Sequence, residues 1–103
     1  MALEKKNAIH TLGRFSAATP PLVEASDGGW SVVRSAQGIW DVTLNVPIDA
    51  TERLVLLTPR VTSTMAAVIP ASDTDTNIRI HVETDGGADA DAAVDFVVLR
   101  VAS

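Results

Sequence analysis

The sequence contains no cysteine and no tyrosine, and its only two lysines are Lys5 and Lys6. Without cysteine there can be no disulfide, no thiol nucleophile and no zinc site built from thiolates. The net charge is −5 and the arginines are scattered, whereas nucleic-acid binding depends on clustered basic residues. No apolar run approaches the roughly 20 residues of a membrane-spanning helix, and no apolar signal segment follows the lysines. We therefore expect neither nucleic acid nor a membrane as partner.

The chain is short for the amount of apolar side chain that it carries. Its 103 residues suit one domain, yet 47% of them are hydrophobic and only 20% are charged. A domain of this size has a small interior, so part of this apolar surface must face outward or lie against a partner. We expect the partner to be further copies of the chain, because closed homo-oligomers are the common solution.

Residue periodicity predicts strands throughout the second part of the chain. From Trp40 to Val46, apolar and polar residues alternate without a break, which indicates a strand with one buried face. The run 30–35 precedes it across a short Gly-containing link and predicts a hairpin. Further strands are predicted at 53–58, 64–69, 77–83 and 94–101, with the run 53–58 covered on both faces and the run 94–101 central. The only competing helix, at 88–93, is too short. The prediction is an all-β, compact antiparallel β-sandwich that is jelly-roll-like.

The first part of the chain, residues 1–28, predicts an extended N-terminal arm, or else an edge strand followed by a connector, ahead of the sandwich domain at 29–103. Residues 8–17 form a weak strand pattern. Pro20 and Pro21 keep the connector at 19–29 extended, because proline fixes its own φ and restricts the residue before it. As an arm, this segment would contact a capsid or a neighbouring subunit through its apolar side chains, which are Leu3, Ile9, Leu12 and Phe15.

Two features of the sandwich could serve a ligand or a partner. The loop that carries Asp85, Asp89 and Asp91 offers hard oxygen ligands for calcium. Its spacing fails the patterns of known calcium loops, so a solvated hairpin tip is favoured and no metal is expected. Trp30 beside a Gly-Gly pair is either a core residue or an interface anchor, with a sugar-stacking ring as the weaker alternative.

The sequence shows no arrangement of catalytic residues. His10 and His81 are the only possible imidazole bases, and no serine lies in a Gly-x-Ser-x-Gly turn. His81 is predicted on the outward face of its strand beside Glu83, where a cross-strand ion pair or a contact between subunits is the ordinary role. No Gly-rich phosphate cradle opens a helix. We expect no enzyme activity and no cofactor; a small hydrolase that uses His81 is the weakest alternative.

Four strand patterns follow one another between Gly29 and Val101, and their order resembles the compact β-sandwich domains of tailed-bacteriophage virion proteins. They read GWSVVRSAQGIWDVTL (29–44), LVLLTPR (54–60), NIRIHVETDGG (77–87) and DFVVLRV (95–101). The resemblance implies a homotrimer, in the manner of tail fibres, head fibres and capsid-decorating (cement) proteins.

Because the sequence begins with Met and holds little besides this domain, the resemblance favours a decoration protein over a fibre. The expected function is that of a non-enzymatic virion structural protein. It would be made in the host cytoplasm and bind the major capsid protein on the outer capsid surface, where it stabilises the lattice. The alternative is a receptor- or glycan-binding knob of a tail or head fibre, using the loop 85–91 and Trp30.

Overall fold

The computed structural model describes residues 8–101, which form two four-stranded antiparallel sheets packed face to face. The first sheet has the order β2-β1-β8-β5 and the second has the order β3-β4-β7-β6. Short 3-10 turns follow β4 and β6, at Ala50–Glu52 and Pro70–Ser72. The strands are β1 (Ala8–Phe15), β2 (Val23–Ser26), β3 (Trp30–Ala36), β4 (Ile39–Leu44), β5 (Arg53–Pro59), β6 (Thr64–Val68), β7 (Asn77–Thr84) and β8 (Val94–Arg100).

The predicted antiparallel β-sandwich is confirmed, and the alternating strands behave as their period of two requires. In β4, Trp40, Val42 and Leu44 are buried, whereas Asp41 and Thr43 face outward. β7 repeats this arrangement, and β8 lies between β1 and β5 as a central strand. Within residues 8–101 no helix has the length and apolar character needed to cross a bilayer.

An aromatic cluster fills one part of the core between the sheets. The rings of Trp30 and Phe96 meet edge to face with centroids 4.7 Å apart, and Phe15 lies 5.5 Å from Trp40. The indole Nε1 of Trp30 donates a hydrogen bond of 2.9 Å to the carbonyl of Leu12. Such geometries add to the gain from burying the rings. Trp30 is therefore a core residue, and its ring offers no face to a sugar or a partner.

The N-terminal segment confirms the strand predicted at 8–17, as β1, but differs from the predicted arm where the structure describes it. β1 is an interior strand that pairs with both β2 and β8, so residues 8–15 are part of the sheet and not an arm. The edge strand next to β1 is β2, which lies within the stretch predicted as a connector. Phe15 is fully buried, because its position in β1 points into the core, and this burial removes it from any partner contact. Leu3 lies outside the described residues.

The strand β5 also differs from the prediction, since only one of its faces is covered. Val55 and Leu57 pack against the core, but Leu54 and Leu56 are more than half exposed. A continuous apolar run predicted burial on both sides. In the structure, the outer side of β5 belongs to an uncovered sheet face.

Candidate functional site

The outer face of the first sheet carries an apolar surface across its three long strands. Strand register places Ile9 opposite Leu99 and Leu99 opposite Leu54, which makes one cross-strand row. The next row, two residues along β8, also consists of three apolar residues. Together these two rows form what we call the apolar face: Ile9, Leu99 and Leu54, then Leu12, Val97 and Leu56.

The apolar face is open to solvent. Ile9, Leu54 and Leu56 are 58%, 54% and 55% exposed, respectively. An open groove of about 500 Å³ runs beside the first row, where Ala8, Arg100 and Val101 complete its lining. Single exposed apolar side chains are ordinary on a protein surface, but a contiguous patch of them marks an interaction site.

One end of the apolar face is bordered by a cluster of three charges. Arg14 Nε lies 2.6 Å from Asp95 Oδ1, and Arg60 Nη1 lies 2.8 Å from Asp95 Oδ2. The hydrogen bond from Arg14, followed by that from Arg60, holds the pKa of Asp95 below its ordinary value against the opposing effect of burial. One carboxylate thus faces two guanidinium groups, and Glu24 on β2 adds a second negative charge near Arg14.

The outer face of the second sheet carries more polar and charged groups, although the exposed side chains of Val33 and Met65 also lie on it. Asp41 on β4 accepts two hydrogen bonds of 2.9 Å from Arg79 on β7. These hydrogen bonds lower the pKa of Asp41. Asn77 and His81 lie on either side of Arg79 along β7 and share its outward face. The two outer faces of the sandwich therefore differ in chemistry: one suits an apolar partner and the other suits water or a polar ligand.

A histidine and two carboxylates meet on this polar face. His81 Nε2 lies 2.7 Å from Asp89 Oδ1, and His81 Nδ1 lies 3.9 Å from Glu83 Oε1. One potential metal-ligating atom from each of the three residues lies within 4.8 Å of the others. We call this group the His81 cluster.

The three aspartates of the loop 85–91 do not converge on one point. Asp91 is a structural residue, since it accepts hydrogen bonds from Arg34 and from the amide of Gly38. Burial raises the pKa of Asp91, but these hydrogen bonds outweigh that effect and the pKa is lowered overall. Asp89 belongs to the His81 cluster, while Asp85 is exposed. The calcium loop considered from the sequence is therefore divided among three different environments.

Sequence reasoning found some members of these surfaces and missed others. Ile9 and Leu12 were expected to contact a partner, and they lie on the apolar face. Leu54 and Leu56 were missed because their run predicted a covered strand. No signal in the sequence distinguishes them from Val55 and Leu57, because the whole run 54–57 is apolar.

His81 was predicted beside Glu83 on an outward face, and it lies there. Its shortest polar contact is with Asp89. The sequence did not predict this contact, because it depends on the loop after β7 folding back to place Asp89 beside Glu83. Within residues 8–101 no serine is hydrogen-bonded to His81 or to His10, whose Nε2 lies 2.7 Å from the carbonyl of Val46.

Comparisons with protein-family models, with curated proteins and with solved structures find no match to this chain. Functional inference therefore starts from the two outer faces of the sandwich.

Proposed function

We propose that this chain is a non-enzymatic structural protein that assembles with copies of itself through the apolar face. The observation that carries the proposal is the contiguous pair of apolar rows across β1, β8 and β5, with three side chains more than half exposed. Burying exposed apolar surface is worth roughly 25 cal/mol per Å². A second copy is the favoured occupant because it supplies a matching face at equal concentration, and because isologous contacts are the common mode of assembly.

The size of the apolar face favours an assembly with several contacts over an isolated dimer. Three strands spaced by about 4.8 Å, with two rows that take up about four residues of 3.3 Å along each strand, make a flat area of roughly 190 Å². A stable interface buries about 800 Å² on each partner. A pair of copies held by this face alone is therefore weak, and further contacts within a ring or on a lattice would have to supplement it.

This requirement agrees with the finer proposal, a capsid-decorating (cement) homotrimer on the outer surface of a phage virion. The resemblance of the strand patterns between Gly29 and Val101 to virion β-sandwich domains supports it. In this role the trimer would bind the major capsid protein at junctions between its subunits. A ligand that binds only the assembled lattice stabilises that lattice by RT ln(1 + [L]/Kd) at each site.

The polar outer face of the second sheet favours a second candidate, a receptor- or glycan-binding knob of a tail or head fibre. The His81 cluster and the pair of Asp41 and Arg79 present charged hydrogen-bonding groups of the kind that fix the orientation of a polar ligand. In this case the apolar face would still join the subunits.

Self-association is tested by sedimentation velocity from 10 µM to 1 mM with the wild type, Leu56→Lys and Val33→Lys. Leu56 and Val33 are 55% and 60% exposed and lie on edge strands of the first and second sheets. We expect the wild type and V33K to associate with rising concentration, and L56K to remain monomeric. A wild type that stays monomeric throughout this range would contradict the proposal, as would equal association of all three proteins.

The two finer candidates are separated by the binding partner. Purified protein is sedimented with undecorated capsids of the source phage and, in parallel, with host cells. Binding to capsids supports the cement protein, whereas binding to cells without binding to capsids supports the knob.

A further inference from the structure

We propose that the His81 cluster binds one divalent transition-metal ion, with Zn²⁺ as the best fit. His81 and Glu83 lie two residues apart on β7, so both side chains leave the same outer face of the second sheet. Asp89 returns beside them because it forms an antiparallel bridge with Glu83. One nitrogen and two carboxylate oxygens are thereby gathered from two segments of the chain.

The charges of the His81 cluster favour the binding of a cation. Glu83 and Asp89 are directly opposed across an antiparallel bridge, and like charges in that position are destabilising. Elsewhere in the described chain, five arginines form ion pairs with aspartates. None of the described arginines forms an ion pair with Glu83 or Asp89, whose one basic neighbour within 4.0 Å is the imidazole of His81. A divalent cation would relieve the repulsion that this pairing creates.

Backbone hydrogen bonds hold the donors in place before any metal binds. The loop is closed by Thr84 N donating to Ala88 O at 2.8 Å and by Ala90 N donating to Val82 O at 3.1 Å. Just beyond it, Asp91 is held by Arg34 and the Gly38 amide. A site whose ligands are fixed by the scaffold loses less entropy on binding than a mobile one.

The chemistry of the donors selects the class of metal. Calcium and magnesium prefer six or more oxygen ligands, whereas zinc takes histidine nitrogen and carboxylate oxygen at about 2.1 Å in a four-coordinate site. Tetrahedral ligands at that distance are roughly 3.4 Å apart. One ligand atom from each of His81, Glu83 and Asp89 lies within 4.8 Å of the other two, so small side-chain rotations would bring the three atoms to that spacing. Three protein ligands leave a fourth position for water or for a group from a binding partner.

The test is isothermal titration calorimetry of the tag-free chain at pH 7.5 with ZnCl₂ alone and, separately, with CaCl₂. The variants are His81→Gln and Asp89→Asn. Their controls are His10→Gln, which removes the other histidine of the chain, and Asp85→Asn, which removes a carboxylate of the same loop that is outside the His81 cluster. Circular dichroism melting of each variant verifies that it is folded.

We expect one saturable zinc site per chain, with affinity reduced at least tenfold in H81Q and D89N and unchanged in H10Q and D85N. The ¹⁵N resonances of the His81 ring should shift on zinc addition, while those of His10 remain in place. Absence of saturable zinc binding up to 1 mM would overturn the proposal. So would zinc affinity that is the same in H81Q as in the wild type, or calcium binding tighter than zinc binding.

Discussion

Arg53 illustrates how much of this fold depends on a single side chain. Its guanidinium is almost fully buried and donates hydrogen bonds to the carbonyls of Ile48, Thr74 and Asn77, at 3.2, 2.7 and 3.1 Å, respectively. Asp73 Oδ1 lies 3.6 Å away, and burial raises the pKa of that carboxyl although Arg53 opposes the rise. One side chain therefore joins the loops that follow β4 and β6.

Replacement of Arg53 by Met should destabilise the fold by about 3 kcal/mol, because one buried carbonyl, two partly buried carbonyls and one partly buried carboxylate lose their partner at once. Urea unfolding at pH 7 measures the loss. Arg100→Met is the matched control, since Arg100 is the cross-strand partner of Arg53 but is exposed. Its effect should stay within about 0.5 kcal/mol. Equal stability of R53M and the wild type would show that these hydrogen bonds contribute nothing net.

At the scale of strands and loops, ion pairs and hydrogen bonds to carboxylates connect neighbouring elements. The pKa is lowered in five aspartates, which are Asp27, Asp41, Asp49, Asp91 and Asp95. A carboxyl with a lowered pKa in the folded state stabilises the fold above its ordinary pKa of about 3.9, and this contribution is lost as the pH falls through the folded value. Asp73, whose pKa is raised, has the opposite effect on the pH dependence of stability, but it is one carboxyl against five.

The free energy of unfolding should therefore fall as the pH is lowered from about 5 towards 2. Asp41→Asn tests one contributor, since the side chain of Asp41 is 17% exposed and pairs with Arg79. We expect D41N to be less stable than the wild type at pH 7, and the difference to shrink as the pH falls towards 2 and the wild-type carboxyl takes up a proton. Urea unfolding at several pH values measures both. A difference that is constant with pH would contradict the role of the ionised carboxylate.

The elements also show where prediction from the sequence succeeds. Strands with one polar face, such as β4 and β7, were predicted within about one to two residues, because their alternation records the burial of each side chain. β2 was missed because Val23–Ser26 is only four residues long, and an alternation of that length next to two prolines is a weak signal. The outward position of Leu54 was missed because an apolar residue reads the same whether it is buried in a core or exposed at an interface. The His81 cluster depends on a loop closure that local patterns do not encode.

At the scale of the whole molecule, the sandwich is asymmetric: the apolar face lies on one side and the polar face with Arg79 and His81 lies on the other. If copies associate through the apolar face, the associated form is stabilised by mass action, so the melting temperature depends on concentration.

Differential scanning calorimetry at 10 µM and at 1 mM should show a melting temperature that is higher by a few degrees at the higher concentration, because about 1 kcal/mol corresponds to roughly 4–8 °C in a domain of this size. Leu56→Lys should abolish the dependence. A wild-type melting temperature that does not change between the two concentrations would contradict coupling between assembly and stability.

The pairing of β1 with β8 has a practical consequence. Ala8 is the cross-strand partner of Arg100, so the backbone enters and leaves the sandwich at neighbouring points, and both residues line the groove beside the apolar face. A short linker joining Ala8 to Arg100 would allow circular permutation, with new termini opened in the turn between β3 and β4. Such a permutant would move purification tags and fluorescent fusions away from the groove.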